Sequence, residues 1–84
     1  QEMSVGRYYM EREEYLAAIN RFSIVINKYE NTIFCVEAFY RLTEAYVALG
    51  MTNLSVKNNK LFLKKYPDSE WAIMSNDLVS DLNL

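Results

Sequence analysis

Leu42-Thr43-Glu44-Ala45-Tyr46-Val47-Ala48-Leu49-Gly50 is the stretch whose reading decides the fold. Phe39, Leu42, Tyr46 and Leu49 recur at the three-and-four spacing of a single helix face, which predicts a helix over about residues 34–49. Gly50 then stands where a left-handed C-terminal cap is expected. Shifting the chain on itself by 37 positions pairs Tyr9 with Tyr46 and Lys28-Tyr29 with Lys65-Tyr66. Apolar character is kept at Val5/Leu42, Met10/Val47, Ile24/Leu61 and Ile26/Leu63, and Asn31-Thr32 falls on Asp68-Ser69. The identities are few, but they coincide with helix punctuation, as a structural repeat requires.

Working outward, five helices are predicted. One over about 2–12 places Val5, Tyr8 and Tyr9 on one face, and one over about 14–29 carries Ile19, Phe22, Ile26 and Tyr29 as an apolar stripe. Thr52 or Asn53 is the expected cap of a fourth helix, which runs through Leu54, Leu61 and Phe62 to Tyr66 before Pro67 stops it. Ser69 caps a fifth, with Glu70 in the first turn and Trp71, Met74, Leu78 and Leu82 as its stripe. Between the first two helices, Arg12-Glu13-Glu14 has neither glycine nor proline, so local propensity alone allows one rod through Tyr29. The repeat argues for a tight turn strained at Glu13, the counterpart of Gly50.

This spacing resembles the tetratricopeptide repeat. Leu42-Thr43, Tyr46, Gly50, Ser55 and Pro67 carry the likeness in the second hairpin, and Val5-Gly6, Tyr9, Ala18 and Phe22 in the first. Small side chains at Gly6 and Ala18 let paired helices approach closely. Asn59 departs from the pattern, standing where an aromatic is usual. The expected fold is all-α: two tetratricopeptide-like hairpins (about 1–32 and 33–68) and a C-terminal capping helix (about 69–84), together an α-solenoid fragment forming one unit over 1–84. Two hairpins are fewer than the three or so that an autonomous solenoid needs, so an apolar face is expected at the uncapped end, where association is possible.

Composition narrows the chemistry. Eighty-four residues, 51% hydrophobic and 24% charged, describe one small folded unit. With no histidine, Ser-His and Cys-His mechanisms and His-containing zinc sites are excluded. The single cysteine, Cys35, can form neither an internal disulfide nor a CxxC pair, and reads as a small core residue. Two glycines leave no phosphate-cradling loop, and a net charge of −2 gives no general attraction to nucleic acid or anionic lipid. No apolar run reaches the roughly 18 residues of a membrane span. The opening QEMSVGRYY does not read as a signal peptide, so any secretion or anchoring determinant is expected outside this chain.

Three surface features stand out. Lys57, Lys60 and Lys64 form a stripe with Lys65 beside it, read either as a docking strip for an acidic partner or as a solvated face near Glu70, Asp77 and Asp81. Of seven tyrosines, Tyr15 and Tyr40 fall off the strongest stripes and are expected to be the exposed ones, suited to peptide contacts. Glu11, Glu13 and Glu14 cluster at a junction, but nothing polar and buried accompanies them, and they read as a solvated turn. No catalytic, metal or cofactor site is expected.

The segments Val5-Gly6-Arg7-Tyr8-Tyr9, Glu14-Tyr15-Leu16-Ala17-Ala18-Ile19-Asn20-Arg21-Phe22, Glu37-Ala38-Phe39-Tyr40-Arg41-Leu42 and Lys65-Tyr66-Pro67-Asp68-Ser69 are similar to the C-terminal repeats of the BamD (ComL/YfiO) family. The resemblance implies a lipoprotein on the periplasmic face of the outer membrane, held by a lipid anchor outside this chain and belonging to the β-barrel assembly complex. It further implies a scaffold that docks the periplasmic domains of BamA beside other lipoproteins of the complex, with no nucleic acid, no cofactor and no enzymatic role. Arg21 matches a family arginine implicated in pairing with an acidic residue of BamA, and Asn20 and Tyr15 belong to the same protein-binding segment. Without the resemblance, Arg21 reads as an exposed arginine whose stem covers apolar surface. Cys35 lies inside the repeats, where it cannot be the family's lipidated cysteine. The alternative is another tetratricopeptide adaptor, a periplasmic envelope coordinator or a co-chaperone, although Met3 and Arg7 do not supply a carboxylate clamp.

Overall fold

Glu13 adopts φ 59° and Gly50 φ 72°, so two turns 37 residues apart share one left-handed step. They join the first four of five helices in a computed structural model that describes residues 1–82: α1 (Glu2–Glu11), α2 (Tyr15–Lys28), α3 (Ile33–Ala48), α4 (Thr52–Lys65) and α5 (Glu70–Ser80). Asn83 and Leu84, the end of the expected capping helix, lie outside the described residues. The first four helices fall within a residue or two of the expected bounds, α5 stops at Ser80 and leaves Leu82 of its expected stripe beyond the helix, and the single rod is ruled out. Glu13 N–H donates to Met10 O (3.0 Å) and Glu14 N–H to Tyr9 O (2.9 Å). Gly50 N–H donates to Val47 O (3.0 Å) and Met51 N–H to Tyr46 O (2.8 Å). Both ends are therefore the same doubly bonded Schellman cap, one built on glycine and one on a residue with a Cβ.

A left-handed glutamate stores strain that glycine would not. Glu13→Gly is expected to be neutral to stabilising, by up to about 1 kcal/mol, because relief of strain outweighs the added freedom of the unfolded chain. A thermal melt showing a loss of more than about 1 kcal/mol would contradict this account of the turn.

The other boundaries repeat as well. Tyr29 (φ −123°, ψ 44°) closes α2 and Tyr66 (φ −136°, ψ 63°) closes α4 in nearly the same conformation, again 37 residues apart. Thr32 and Ser69 are N-caps, accepting from the backbone N–H of Cys35 and Trp71 respectively, each at 3.2 Å. Asn31 (φ 64°) supplies a left-handed step before α3, which asparagine tolerates better than most residues. The expected cap at Thr52 or Asn53 is corrected. Met51 is the N-cap without a side-chain bond, because the Schellman turn leaves only Gly50 and Met51 to close α3 and open α4.

Packing follows small side chains more than large ones. Gly6 and Ala18 are buried, and a Cβ at Gly6 would lie 2.5 Å from the Phe22 ring, so α1 and α2 approach as closely as expected. One core cluster gathers Met3, Ala18, Phe22, Val25, Ala38 and Leu42, and a second gathers Cys35, Phe39, Phe62 and Ala72. Several expected stripes are corrected. Tyr8, Tyr29, Leu49, Leu54, Leu61 and Met74 are exposed, while α4 buries Ser55, Asn59 and Phe62 and α5 buries Ala72, Ser75 and Val79. Close helix approach selects small residues for the contact line and pushes bulky ones to the flanks.

The buried set exposes a deeper regularity. Cys35, Ala38 and Leu42 of α3 map onto Ala72, Ser75 and Val79 of α5 at the same offset, and all six are buried. Accordingly α5 packs against α3 and α4, as α3 packs against α2 and, more lightly, α1. The result is an all-α stack of two tetratricopeptide-like hairpins and a fifth helix, 33 × 26 × 17 Å.

Two three-helix junctions are thus equivalent, yet chemically opposite. Gly6, Phe22 and Ala38 make the first one apolar. Thr43, Asn59 and Ser75 make the second one polar and fully hydrogen-bonded. Ser75 Oγ donates to Asn59 Oδ1 (2.8 Å) and lies 3.1 Å from Thr43 Oγ1, and Asn59 Nδ2 donates to Asn76 Oδ1 (3.2 Å). Asn58 Nδ2 adds bonds to Thr43 Oγ1 (2.9 Å) and Phe39 O (3.1 Å). Among the described residues no buried side-chain nitrogen or oxygen lacks a partner. The departure of Asn59 from the aromatic pattern is this network.

Candidate protein-interaction surface

Arg21 projects from α2, half-buried, with its guanidinium drawn to the start of α1. Its Nη1 donates to Glu2 Oε1 at 3.0 Å, and its side chain stays 37% exposed. The hydrogen bond it donates to Glu2 raises its pKa from the ordinary arginine value. Asn20 beside it is exposed. Tyr15 is half-buried and, at 100° per residue, projects about 120–140° away from both, so the structure does not gather the three into one patch.

The expected exposure of Tyr15 and Tyr40 is corrected. Both are half-buried, and the exposed tyrosines are Tyr8 and Tyr29. Tyr40 is covered because α5 brings Trp71 against it, with ring centroids 5.4 Å apart. Arg41 rests over both rings at 5.7 and 5.6 Å, a cation–π arrangement, while its Nη1 donates to Glu44 (2.9 Å) and its Nε to Glu37 (3.3 Å). Arg7 reaches across from α1 and grips Glu37 with two bonds, Nε to Oε2 at 2.9 Å and Nη2 to Oε1 at 2.5 Å. That fork is the main reason the Glu37 carboxyl is held below the usual carboxylate range, against the opposing effect of burial. The Glu37–Arg41–Glu44 spacing is visible in sequence as neighbouring helix turns, whereas Arg7 is 30 positions from Glu37 and gives no local signal.

Cys35 is fully buried, as a core thiol should be. Its Sγ lies 3.6 Å from the Tyr66 hydroxyl, which donates to Asn31 Oδ1 (3.1 Å) and accepts from Asn31 N–H (3.0 Å). Burial is the main cause that raises the Tyr66 pKa, and its hydroxyl latches the α2–α3 turn to the end of α4. Beside it Lys65 pairs with Glu30 at 2.7 Å. Among the described residues Lys57, Lys60 and Lys64 form no ion pair, with the acids of α5 or with any other. The two helices meet through small residues, which turns their charges outward.

A cleft of about 540 Å³ is lined by Met3, Ser4, Arg7, Val25, Tyr29 and Phe34 together with Gln1 and Glu2. Its two charged side chains are engaged, Arg7 by Glu37 and Glu2 by Arg21. In the second hairpin the first turn of α3 sits at the equivalent place, with Cys35 against Tyr66. Glu11, Glu13 and Glu14 are exposed, and no group of three metal-ligating side chains occurs among the described residues. Among the described residues no helix is long and apolar enough to cross a membrane.

Paired helices in 37-residue register, with their charged groups on outer faces, define a helical repeat protein of the tetratricopeptide type. Residues 1–61 match the family model of YfiO, an outer membrane lipoprotein, and the chain belongs to that family. Over 80 residues it is 40% identical to the outer membrane protein assembly factor BamD of Rickettsia prowazekii, covering 95% of this chain and 32% of that protein. Over 83 residues it is 34% identical to BamD of Caulobacter vibrioides, covering 99% of this chain and 27% of that protein. BamD of Neisseria meningitidis serogroup A is 40% identical over 68 residues, 81% of this chain and 26% of that protein. The chain therefore spans about a third or less of the curated relatives it matches. No solved structure matches it. The family's location is the periplasmic face of the outer membrane.

Proposed function

We propose that this chain is a non-catalytic docking segment of the outer-membrane β-barrel assembly complex, and that α2 meets an acidic residue in the periplasmic domains of BamA through Arg21. The supporting observation is the state of that arginine. Glu2 takes one of five N–H donors and steadies the guanidinium, which stays more than one-third exposed. A planar fork held in place loses less freedom on gripping a second carboxylate, and removing one partner of such a pair costs about 2–5 kcal/mol of binding. Asn20 flanks it as a neutral hydrogen-bonding group, and Tyr15, on a different face of α2, would meet the partner only if that partner wraps around the helix. Other lipoproteins of the complex would take the remaining surfaces.

Arg21→Glu in the full-length protein is expected to abolish co-purification of BamA with helicity unchanged. Glu2→Gln, which removes the internal pair but keeps the arginine, should retain binding. A folded Arg21→Glu protein that still brings down BamA would remove Arg21 from the interface.

A further inference from the structure

Nine lysines and arginines occur in the chain, and five are paired with acids: Arg7, Arg12, Arg21, Arg41 and Lys65. Of the four with no carboxylate partner among the described residues, Lys57, Lys60 and Lys64 share α4, a helix with four lysines and no acid in a chain of net charge −2. The helix dipole favours Lys64 and Lys65 in the last turn, but it does not account for Lys57 and Lys60. Leu54 and Leu61, seven residues apart on the same face, are 45% and 48% exposed. With Tyr46, Lys57 and Asn58 they line a shallow cleft of about 230 Å³.

The first hairpin provides an internal control. At the offset of 37, Lys57, Lys60 and Lys64 correspond to Asn20, Ser23 and Asn27, and Leu54 corresponds to Ala17. The fold is therefore built at α2 without this charge and without one of the two exposed leucines. The stripe answers to something outside the hairpin.

We infer that α4 is a second docking surface, separate from Arg21, for an acidic amphipathic helix of a partner protein. Leu54 and Leu61 are about 10 Å apart along the axis, so the occupant covers two helical turns. It sets apolar side chains over the leucines and Tyr46 and carboxylates against Lys57, Lys60 and Lys64, the complementary charge. A bilayer fits less well, because two leucines make a small apolar face for an interfacial helix. A second copy presenting the acids of α5 offers the same charge, and the identity of the crosslinked chain separates it.

The test places a photo-crosslinking p-benzoylphenylalanine at Leu61 of the full-length protein in its own cells, with Ile24 as the equivalent control position, and maps adducts by mass spectrometry. The expected adduct from position 61, absent from position 24, lies in a helix of another protein bearing Asp or Glu beside its apolar residues. Lys57→Glu/Lys60→Glu should lower its yield at least tenfold, Lys57→Arg/Lys60→Arg should keep it, and reversing the mapped acids in the partner should restore it. Lys57→Gln/Lys60→Gln serves if the acidic pair disturbs helicity. Arg21→Glu should leave this adduct intact, which separates the two surfaces. Adducts with phospholipid, with a second copy or with a segment lacking acids, no adduct at all, or a yield indifferent to charge would each overturn the assignment.

Discussion

Phe62→Ala is expected to lower stability by about 3–5 kcal/mol, among the largest effects a single truncation can have here. Phe62 is fully buried, stacked on Phe39 with centroids 4.9 Å apart and set edge-on to Tyr66 at 6.2 Å. It is the aromatic centre of the cluster that joins α3, α4 and α5. A domain of this size has roughly 5–10 kcal/mol to lose, and about 4–8 °C of melting temperature goes with each kcal/mol. A drop of about 15–30 °C by circular dichroism is therefore anticipated. In a stack whose units touch only their neighbours, amide protection should fall first in α4 and α5 and later in α1 and α2. Phe62→Leu, which keeps most of the volume, should lose far less. A shift under about 1 kcal/mol for the alanine variant would mean that this cluster is not packed as described.

Asn59→Phe should be nearly as damaging, although it restores the aromatic that the repeat pattern favours. Phe22, its counterpart, fits because Gly6 has no Cβ, whereas Thr43 fills that space in the second hairpin. Overpacking costs about 1–3 kcal/mol. Leaving the Ser75 hydroxyl without Asn59 costs about another 1–3 kcal/mol. The decisive comparison is the triple variant Thr43→Gly/Asn59→Phe/Ser75→Ala, which transplants the first junction into the second. Despite a glycine in mid-helix, it should be more stable than Asn59→Phe alone by about 1–3 kcal/mol, a coupling expected of residues in contact. A triple variant less stable than the single one would show that the two junctions are not equivalent.

Those junctions also show why the sequence was only partly legible. Gly50, Pro67 and Ser69 announce their turns and caps through conformations that side-chain chemistry dictates, and the 37-residue offset carried the same reading to Glu13, where no local signal exists. Burial was harder to read. Apolar periodicity gives most weight to Leu54, Leu61 and Met74, yet helix pairs brought together by glycine, alanine and serine bury Ser55, Ser75 and Ala72 and leave the large residues at the flanks. Tyr40 gave no hint of its cover because Trp71, 31 positions away, provides it. Of the candidate surface, Arg21 was singled out by family resemblance, and its Glu2 partner, 19 residues away, became visible only in three dimensions. The α4 lysines were plain in the sequence, but their lack of acid partners depended on which way α5 faces.

The contrast between the oily and the hydrogen-bonded junction also sets serial order. If the stack slid by one unit, Phe22 would be thrust at Thr43, while Asn59 and Ser75 would be stranded beside groups that offer them nothing. Each hairpin therefore carries its own address. A polypeptide of look-alike segments can afford such resemblance only because misplaced neighbours reject one another.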